Sequence, residues 1–202
     1  MFLNKVDMLK KDWFDALQAI WEEGERQDAV ATERSRKNLF ITPDTGRFLY
    51  QLVRSKNPAQ VLEIGTSNGY STLWLALALR DQPGLITSLD ILAAKQAQAS
   101  ANLERFGLAG KVSLELTDAG DWLRAAPDAS IDLVFLDADR SRYAEYWPDL
   151  QRVLRKGGLI VVDNVLSHAD ECAEFIGQVL ATNGYLAETY PIGKGQFVIV
   201  KD

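Results

Sequence analysis

The stretch that decides the fold is Val61-Leu62-Glu63-Ile64-Gly65-Thr66-Ser67-Asn68-Gly69-Tyr70-Ser71. Its first four residues are largely apolar and predict a short buried strand, and the residues after Gly69 begin an apolar run typical of a helix. Gly65 and Gly69 can adopt backbone angles that other residues resist, and they allow a ligand to approach the main chain closely. The stretch therefore predicts a strand, a tight turn and a helix start, with a ligand at the turn.

Strand and helix patterns alternate beyond this stretch. The further predicted strands are 85–89, 112–116, 132–136, 159–162, 186–190 and 197–200, and the predicted helices run to residue 79 and over 93–106, 143–154 and 169–182. Such alternation predicts a doubly wound, mostly parallel α/β sheet of seven strands with right-handed crossovers. Only residues 191–195 separate the last two strands, so we expect an antiparallel hairpin and a reversed last strand.

The first forty residues are predicted to be helical. Their apolar residues recur at three- and four-residue steps and share one face, which must cover either the domain's own sheet or a partner subunit. These residues are Val6, Leu9, Trp13, Leu17, Ile20 and Trp21. A second helix should begin with Thr42 as its cap and Pro43 at its first position. We expect one domain over 1–202, with a helical segment at 1–57 and a Rossmann-like core at 58–202.

Composition excludes several classes of protein. Of 202 residues, 47% are apolar and 25% charged, as in an ordinary globular domain. The sequence has no apolar run of the roughly 18 residues that a membrane helix needs and no signal peptide pattern, so we expect a cytoplasmic protein without a membrane partner. The single cysteine, Cys172, cannot form an internal disulfide. The net charge of −6 disfavours nucleic acid, because binding a phosphate backbone needs a basic face. The local basic group Arg34, Arg36 and Lys37 is interpreted as a solvated helix face.

Acidic side chains lie at the ends of three successive predicted strands, where doubly wound sheets bind their ligands. They are Glu63, Asp90 and Asp118. A dinucleotide fingerprint would have glycine in place of Ser67, and Glu63 would repel a diphosphate. A carboxylate instead suits the ammonium and sulfonium groups of S-adenosylmethionine. We expect Asp90 to accept the ribose hydroxyls and Asp118 to meet the adenine edge; the alternative for each acid alone is a solvated loop residue or a helix cap.

Oxygen-bearing side chains follow the fourth and fifth predicted strands. Asp137 follows the fourth, and Asp163 and Asn164 follow the fifth. Neighbouring strand ends would bring them together, and three oxygen ligands without thiol or histidine suit Mg²⁺, Mn²⁺ or Ca²⁺. Such an ion would lower the pKa of an acceptor hydroxyl and align it with the methyl group. The alternative is that the three side chains only cap loops.

Three segments make a resemblance specific: 61–71, Phe-Leu-Asp-Ala-Asp-Arg-Ser-Arg-Tyr at 135–143, and Gly-Gly-Leu-Ile-Val-Val-Asp-Asn-Val-Leu at 157–166. Together they resemble the catechol and caffeoyl-CoA O-methyltransferase family, over about 41–200. The resemblance implies the class I methyltransferase sheet, a homodimer, and a divalent ion on Asp137, Asp163 and Asn164 that grips two adjacent substrate oxygens. The cofactor-binding residues that we expect are Glu63, Gly65, Ser67, Tyr70, Ser71, Asp90, Asp118 and Asp137.

Two positions depart from the family pattern. Arg140 stands where the family usually has a lysine, and arginine effectively cannot lose its proton to act as a base. We therefore take Asp137 and Arg140 as the candidate catalytic residues, with Arg140 stabilising an oxyanion or forming an ordinary salt bridge. Lys194 stands where relatives often carry an acid, so acceptor preference is expected to differ. His168 is interpreted as a helix-start residue within reach of the pocket rim.

Three hypotheses remain open on sequence alone. The first is a divalent-cation-assisted O-methyltransferase that uses S-adenosylmethionine and acts on a small hydroxylated acceptor of the catechol or phenolic type. The second is a metal-independent methyltransferase for another acceptor, including a modified RNA nucleoside. The third is a cofactor-binding subunit without turnover.

Overall fold

The computed structural model describes residues 5–33 and 37–202, with the side chains of the first helix described from Asp12 onward. Seven strands form one sheet. They are β1 (Gln60–Ile64), β2 (Leu85–Asp90), β3 (Val112–Leu116), β4 (Ile131–Leu136), β5 (Leu154–Val162), β6 (Tyr185–Tyr190) and β7 (Gln196–Lys201). The described α-helices are α1 (Lys5–Val30), α2 (Pro43–Lys56), α3 (Tyr70–Leu79), α4 (Ala93–Arg105), α5 (Ala119–Ala125), α6 (Tyr143–Val153) and α7 (Ala169–Leu180).

The strand order is β3-β2-β1-β4-β5-β7-β6. The pairs from β3 across to β5 are parallel, whereas β7 runs antiparallel to both β5 and β6. This confirms the predicted doubly wound sheet with its reversed last strand. The chain reverses its direction of winding between β1 and β4, so the ends of these two strands border the crevice in which such sheets bind ligands.

Three local predictions were wrong. The α5 helix was missed, because it is only seven residues long. Gly157 and Gly158 were predicted to form a turn, but both lie inside β5. The pairing of β5 with β4 has a register irregularity between Ile131 and Leu133, and Gly157 has a φ of 72°. The first helix ends at Val30 rather than continuing towards residue 40, and Lys37 lies outside any helix; Arg34 and Arg36 lie outside the described residues.

The helix α3 is buried on all sides, as the apolar run after Gly69 allows. All ten of its residues are buried, because the sheet covers one side and α1, α2 and α4 cover the others. A helix that is apolar all round is typical of such a central position. It holds the glycine turn at the end of β1 against the core of the protein.

The apolar face of α1 packs on the protein's own helices. The Phe14 ring stacks on Trp74 of α3 at 5.5 Å and meets Tyr50 of α2 edge-on at 5.4 Å, and Leu17 is fully buried. The two expected coverings were the domain's own sheet and a partner subunit; the structure shows contacts within the domain, but they are made to helices α2 and α3. The homodimer therefore stays a prediction, without support from this helix. Among the described residues, no helix has the length and apolar character required to cross a membrane.

Candidate active site

The turn after β1 is shaped by the loop that follows β4. Gly65 has a φ of +106°, and a Cβ on this residue would lie 2.8 Å from the carbonyl carbon of Asp137 and closer still to its oxygen. Gly69 has a φ of +82°, and its Cβ would lie 2.8 Å from that of Ala99. Glycine is therefore required at both positions, because a side chain would overlap the neighbouring segment and because other residues rarely adopt these backbone angles. The turn brings the ends of β1 and β4 into direct contact.

Two cavities open at this edge of the sheet and meet at the turn. The smaller, of about 270 Å³, lies over the ends of β1, β2 and β3, and Asp90 and Asp118 are among its lining residues. The larger, of about 550 Å³, extends towards the ends of β4, β5 and β7. Gly65, Ser67 and Asp137 line both cavities. A ligand that passes the glycine turn can therefore reach from the acids of the smaller cavity into the larger one.

The carboxylate of Asp90 organises the floor of the smaller cavity. Its Oδ2 accepts a hydrogen bond from the Ser67 amide at 2.7 Å, and its Oδ1 accepts one from the Leu92 amide at 2.8 Å. The carboxylate is thereby held at the end of β2, facing the glycine turn. Each oxygen retains a second lone pair that can accept a ligand hydroxyl.

Asp118 is a helix cap. Its Oδ1 accepts from the amides of Gly120 at 2.9 Å and Asp121 at 3.2 Å, and it forms an ion pair with Arg142. The hydrogen bond from Arg142 lowers the pKa of this carboxyl below its ordinary value. The helix cap was the alternative that the sequence analysis gave for each acid alone, and the structure shows it for Asp118. Asp118 still lines the smaller cavity, and its contact with adenine stays a prediction.

Glu63 lies behind the turn and is fully buried. Its carboxylate accepts hydrogen bonds from Ser71 Oγ at 2.6 Å, Thr72 Oγ1 at 2.5 Å and Ser88 Oγ at 2.5 Å. Burial raises its pKa to about 7 despite these hydroxyls. Glu63 lines neither cavity, whereas Ser71 lines the larger one. Direct contact between Glu63 and a cofactor stays a prediction, and the geometry favours an effect relayed through Ser71.

The predicted metal ligands lie together at the ends of β4 and β5. Asn164 Nδ2 donates to Asp137 Oδ1 at 2.9 Å, and Asn164 has a φ of 69°. Asp163 is 2% exposed and accepts a hydrogen bond from Gln196. Burial and the neighbouring carboxylate of Asp163 raise the pKa of Asp137 to about 7, and burial also raises that of Asp163. Two neighbouring buried carboxylates gain stability when a cation lies between them.

This cluster is compatible with a divalent ion but does not form a complete protein cage. Among the described residues, no group of three or more His, Cys, Asp or Glu side chains could hold a metal. An ion here would depend on two carboxylates, on the amide oxygen of Asn164 and on water or substrate. Gln196 is fully buried and its Oε1 has no hydrogen-bond partner, so a further oxygen lies unused beside Asp163.

Besides Lys37, three basic side chains from the loops at this edge of the sheet line the larger cavity. Arg140 Nε donates to Glu171 at 2.8 Å, and its side chain is 11% exposed. His168 Nδ1 shares a hydrogen bond with Ser167 Oγ at 2.9 Å. Lys194 is exposed, and its positive charge acts on Asp137 and Asp163. The structure thus shows Arg140 in a salt bridge at the cavity wall, which was one of the two roles predicted for it.

One wall of the larger cavity is a segment that contributes none of the predicted site residues. Residues 37–41 line the larger cavity, and Asp28 of α1 fastens them. Its carboxylate accepts from the Asn38 amide at 2.6 Å, from Asn38 Nδ2 at 3.0 Å and from the Leu39 amide at 2.8 Å. Asn68 of the glycine turn donates to Asn38 Oδ1 at 2.6 Å. We call residues 37–41 the strap. No spacing in the sequence signals these contacts.

Nine of the eleven predicted site residues line one or both cavities. They are Gly65, Ser67, Tyr70, Ser71, Asp90, Asp118, Asp137, Arg140 and Asn164. Glu63 and Asp163 lie one layer deeper. The sequence analysis missed Thr72, which donates a hydrogen bond to Glu63, and Gln196, which donates one to Asp163. The sequence signal that could have identified them was a polar residue within or beside an apolar run.

The doubly wound sheet and the two cavities at its carboxyl edge define a Rossmann-like protein with a composite ligand site. Among solved structures, an O-methyltransferase from Bacillus cereus in complex with SAH has a TM-score of 0.76 at 24% identity, covering 93% of this chain and 91% of that one. A cofactor-bound protein from MTB has a TM-score of 0.75 at 25% identity, covering 100% and 99%. These likenesses support the same fold.

The chain belongs to the O-methyltransferase family. The family's sequence model, described as O-methyltransferase, matches residues 20–181. A catechol O-methyltransferase of Niastella koreensis is 37% identical over 131 residues, which are 63% of this chain and 59% of that protein. One of Mycobacterium tuberculosis is 36% identical over 136 residues, 67% and 61% of the two chains. The match thus spans about three fifths of these curated relatives. The predicted resemblance is confirmed.

Proposed function

We propose that this protein transfers the methyl group of S-adenosylmethionine to a hydroxyl of a small phenolic acceptor with two adjacent hydroxyls, with the assistance of a divalent cation. The observation that carries the proposal is the meeting of two cavities at Gly65 and Asp137. One cavity has the acids that suit a nucleoside with a cationic sulfur, and the other has room for a small acceptor. Relatives named as catechol O-methyltransferases support the same reaction.

The smaller cavity would bind the nucleoside. Asp90 is fixed by two main-chain amides and accepts the ribose hydroxyls, while Asp118 holds the start of α5 at the adenine side. Ser71, held by Glu63, meets the methionine end from the larger cavity. The glycine turn lets the sulfonium pass close to the main chain, with Asp137 beside it.

Asp137, Asp163 and Asn164 would hold the ion. A bound divalent ion supplies charge that lowers the pKa of an acceptor hydroxyl. Asn164 orients Asp137 through its hydrogen bond, and Gln196 orients Asp163. Arg140 keeps its charge at all accessible pH values, so it stabilises an oxyanion but takes no proton. In this proposal the proton leaves to solvent or to another group of the cavity.

A second candidate is methyl transfer without a metal. Arg140 and Lys194 already bring positive charge to the paired carboxylates, and this observation favours it. The two candidates separate in one assay. Methyl transfer to 3,4-dihydroxybenzoate or its amide is followed by mass spectrometry before EDTA treatment, after it, and after addition of Mg²⁺.

Loss of turnover with EDTA and recovery with Mg²⁺ supports the first candidate, and indifference to EDTA supports the second. Binding of S-adenosylmethionine by calorimetry without transfer to any phenol would contradict both and leave a binding subunit. In the metal-dependent case, Asp163→Ala should abolish turnover while cofactor affinity changes less than about threefold. Asp170→Ala, an exposed position on α7, is the matched control and should retain both.

A further inference from the structure

The larger cavity differs in charge from the protein that surrounds it. The chain as a whole carries a net charge of −6. Of the described side chains that line this cavity, Asp137 is the acidic one, whereas Lys37, Arg140 and Lys194 are cationic and His168 is titratable. In the smaller cavity the balance is reversed, because Asp90, Asp118, Asp137 and Asp139 accompany a single arginine. The larger cavity therefore presents a local positive field in an acidic protein.

The basic groups lie on two different sides of the cavity. Lys37 belongs to the strap and also lines a pocket with Asp90 and Ser67, so it lies on the cofactor side. Arg140 and His168 come from the loops after β4 and β5, and Lys194 comes from the loop before β7, on the same side as Asn164. Lys37 is thus placed beside the proposed cofactor region, which leaves the other three groups for the acceptor.

Main-chain hydrogen bonds hold two of these groups in place. The amides of Leu166 and Ser167 donate to the carbonyl oxygen of Lys194, each at 3.1 Å, and the His168 amide donates to the Asn164 carbonyl at 2.9 Å. A Cβ on Gly195 would lie 2.5 Å from Leu166 Cγ, so the two loops are closely packed. The positions of His168 and Lys194 relative to Asn164 are therefore built into the backbone and do not depend on flexible side chains alone.

We infer that the acceptor carries an anionic group, a carboxylate in its simplest form, which binds against Lys194, His168 and Arg140 while its hydroxyls point towards Asp137 and Asn164. This inference rests on the proposed function and specifies its substrate class. Asp163 is nearly inaccessible and bonded to Gln196, whereas Lys194 is exposed at the outer end of the cavity. The acids therefore lie at the inner end of the cavity and Lys194 at its outer end. An acceptor with hydroxyls at one end and a negative charge at the other matches this order.

The test compares two acceptors of nearly the same shape, 3,4-dihydroxybenzoate and 3,4-dihydroxybenzamide. Both have an electron-withdrawing group on the ring, but only the first is charged. Dissociation constants are measured by calorimetry with S-adenosylhomocysteine and Mg²⁺ present, and kcat/KM is measured in parallel. We expect the benzoate to bind about five- to tenfold more tightly than the amide, and this ratio to fall as ionic strength rises.

Charge reversal at Lys194 identifies the cause of the preference. In Lys194→Glu the ratio of the two affinities should fall to about one or below, while amide binding changes little. Lys156→Glu, which makes the same change in net charge on an exposed residue near the start of β5, should keep the wild-type ratio.

Equal binding of the two acceptors by the wild-type protein would overturn the inference, and so would a preference that survives in Lys194→Glu. Failure of the proposed function gives a different result. In that case neither acceptor is methylated, while the calorimetric comparison still reports whether the cavity selects an anion.

Discussion

Gly65, in the turn after β1, and Asp137, in the loop after β4, lie in direct main-chain contact, although 71 residues lie between them in the sequence. The Asp137 carbonyl occupies the space that a side chain at residue 65 would need. The Asp137 amide in turn donates to the Ile64 carbonyl at 3.0 Å. This contact forms the junction of the two cavities, so the proposed cofactor and acceptor regions share one piece of backbone.

Substitution at this contact should damage binding at both cavities. Gly65→Ala adds a Cβ that overlaps the Asp137 carbonyl and also imposes an unfavourable φ of +106°. We expect a loss of about 2–4 kcal/mol in stability, or a displaced turn with at least tenfold weaker binding of S-adenosylhomocysteine. Thermal unfolding and calorimetry measure the two effects. Gly184→Ala is the control, since it has a φ of +84° with no atom within 4 Å of the new Cβ. Equal effects of the two substitutions would show that backbone angle, not contact, matters at Gly65.

The buried carboxyl of Glu63 should make stability depend on pH. Its pKa of about 7 in the folded protein exceeds the ordinary 4.5, so the folded state binds more protons between these values. The free energy of unfolding should therefore fall as pH rises from about 4.5 through 7, with a penalty of up to about 3 kcal/mol above pH 7.

Glu63→Gln removes this titration. Urea unfolding at several pH values should show wild-type stability declining relative to the variant as pH rises across that window. Glu104→Gln, an exposed glutamate on α4, should follow the wild-type curve. Parallel curves for wild type and Glu63→Gln would contradict the assignment.

Tyr143 should stabilise the loop that carries Asp137. Its fully buried hydroxyl accepts from the Ala138 amide at 2.8 Å and donates to the Ala138 carbonyl at 3.2 Å. Tyr143→Phe keeps the ring but leaves the amide without this acceptor, which should cost about 1–3 kcal/mol of stability and raise the KM for the acceptor. Tyr185→Phe on β6, where the ring packs on Trp147, should leave KM unchanged. An unaltered KM in Tyr143→Phe would show that the loop is held by other contacts.

The strap should depend on Asp28. Removing its three hydrogen bonds in Asp28→Ala frees residues 37–41 from the end of α1. We expect hydrogen exchange of the Asn38 and Leu39 amides to accelerate at least tenfold, and KM values for cofactor and acceptor to rise about three- to tenfold with a smaller change in kcat. Asp15→Ala, on the exposed face of α1, should change neither. If these amides already exchange rapidly in the wild-type protein, the proposal that Asp28 holds the strap in place is wrong.

The succession of strands along the chain and the placement of acids at their ends followed from sequence alone, whereas their order across the sheet is known from the structure. Alternating apolar segments predicted every strand, and the strand ends together with the family resemblance predicted nine residues that line the cavities. The sequence signal for the short helix α5 was its cap residue, Asp118. The helix was missed because Asp118 was assigned to ligand binding instead. The extent of β5 was missed, because two adjacent glycines are typical of a turn and the strand accommodates them at an irregularity.

Local pattern determined which residues lie at the carboxyl edge, because the period of a strand and the polarity of its end are properties of neighbouring residues. Only the tertiary structure decided which side chain faces which. Glu63 turns towards Ser71, Thr72 and Ser88, and Asp163 towards Gln196. The Asp28 carboxylate reaches the strap, and Gly65 meets Asp137. The physical reason is that hydrogen bonds and close packing depend on distances between segments remote in sequence, which folding sets and local pattern does not encode.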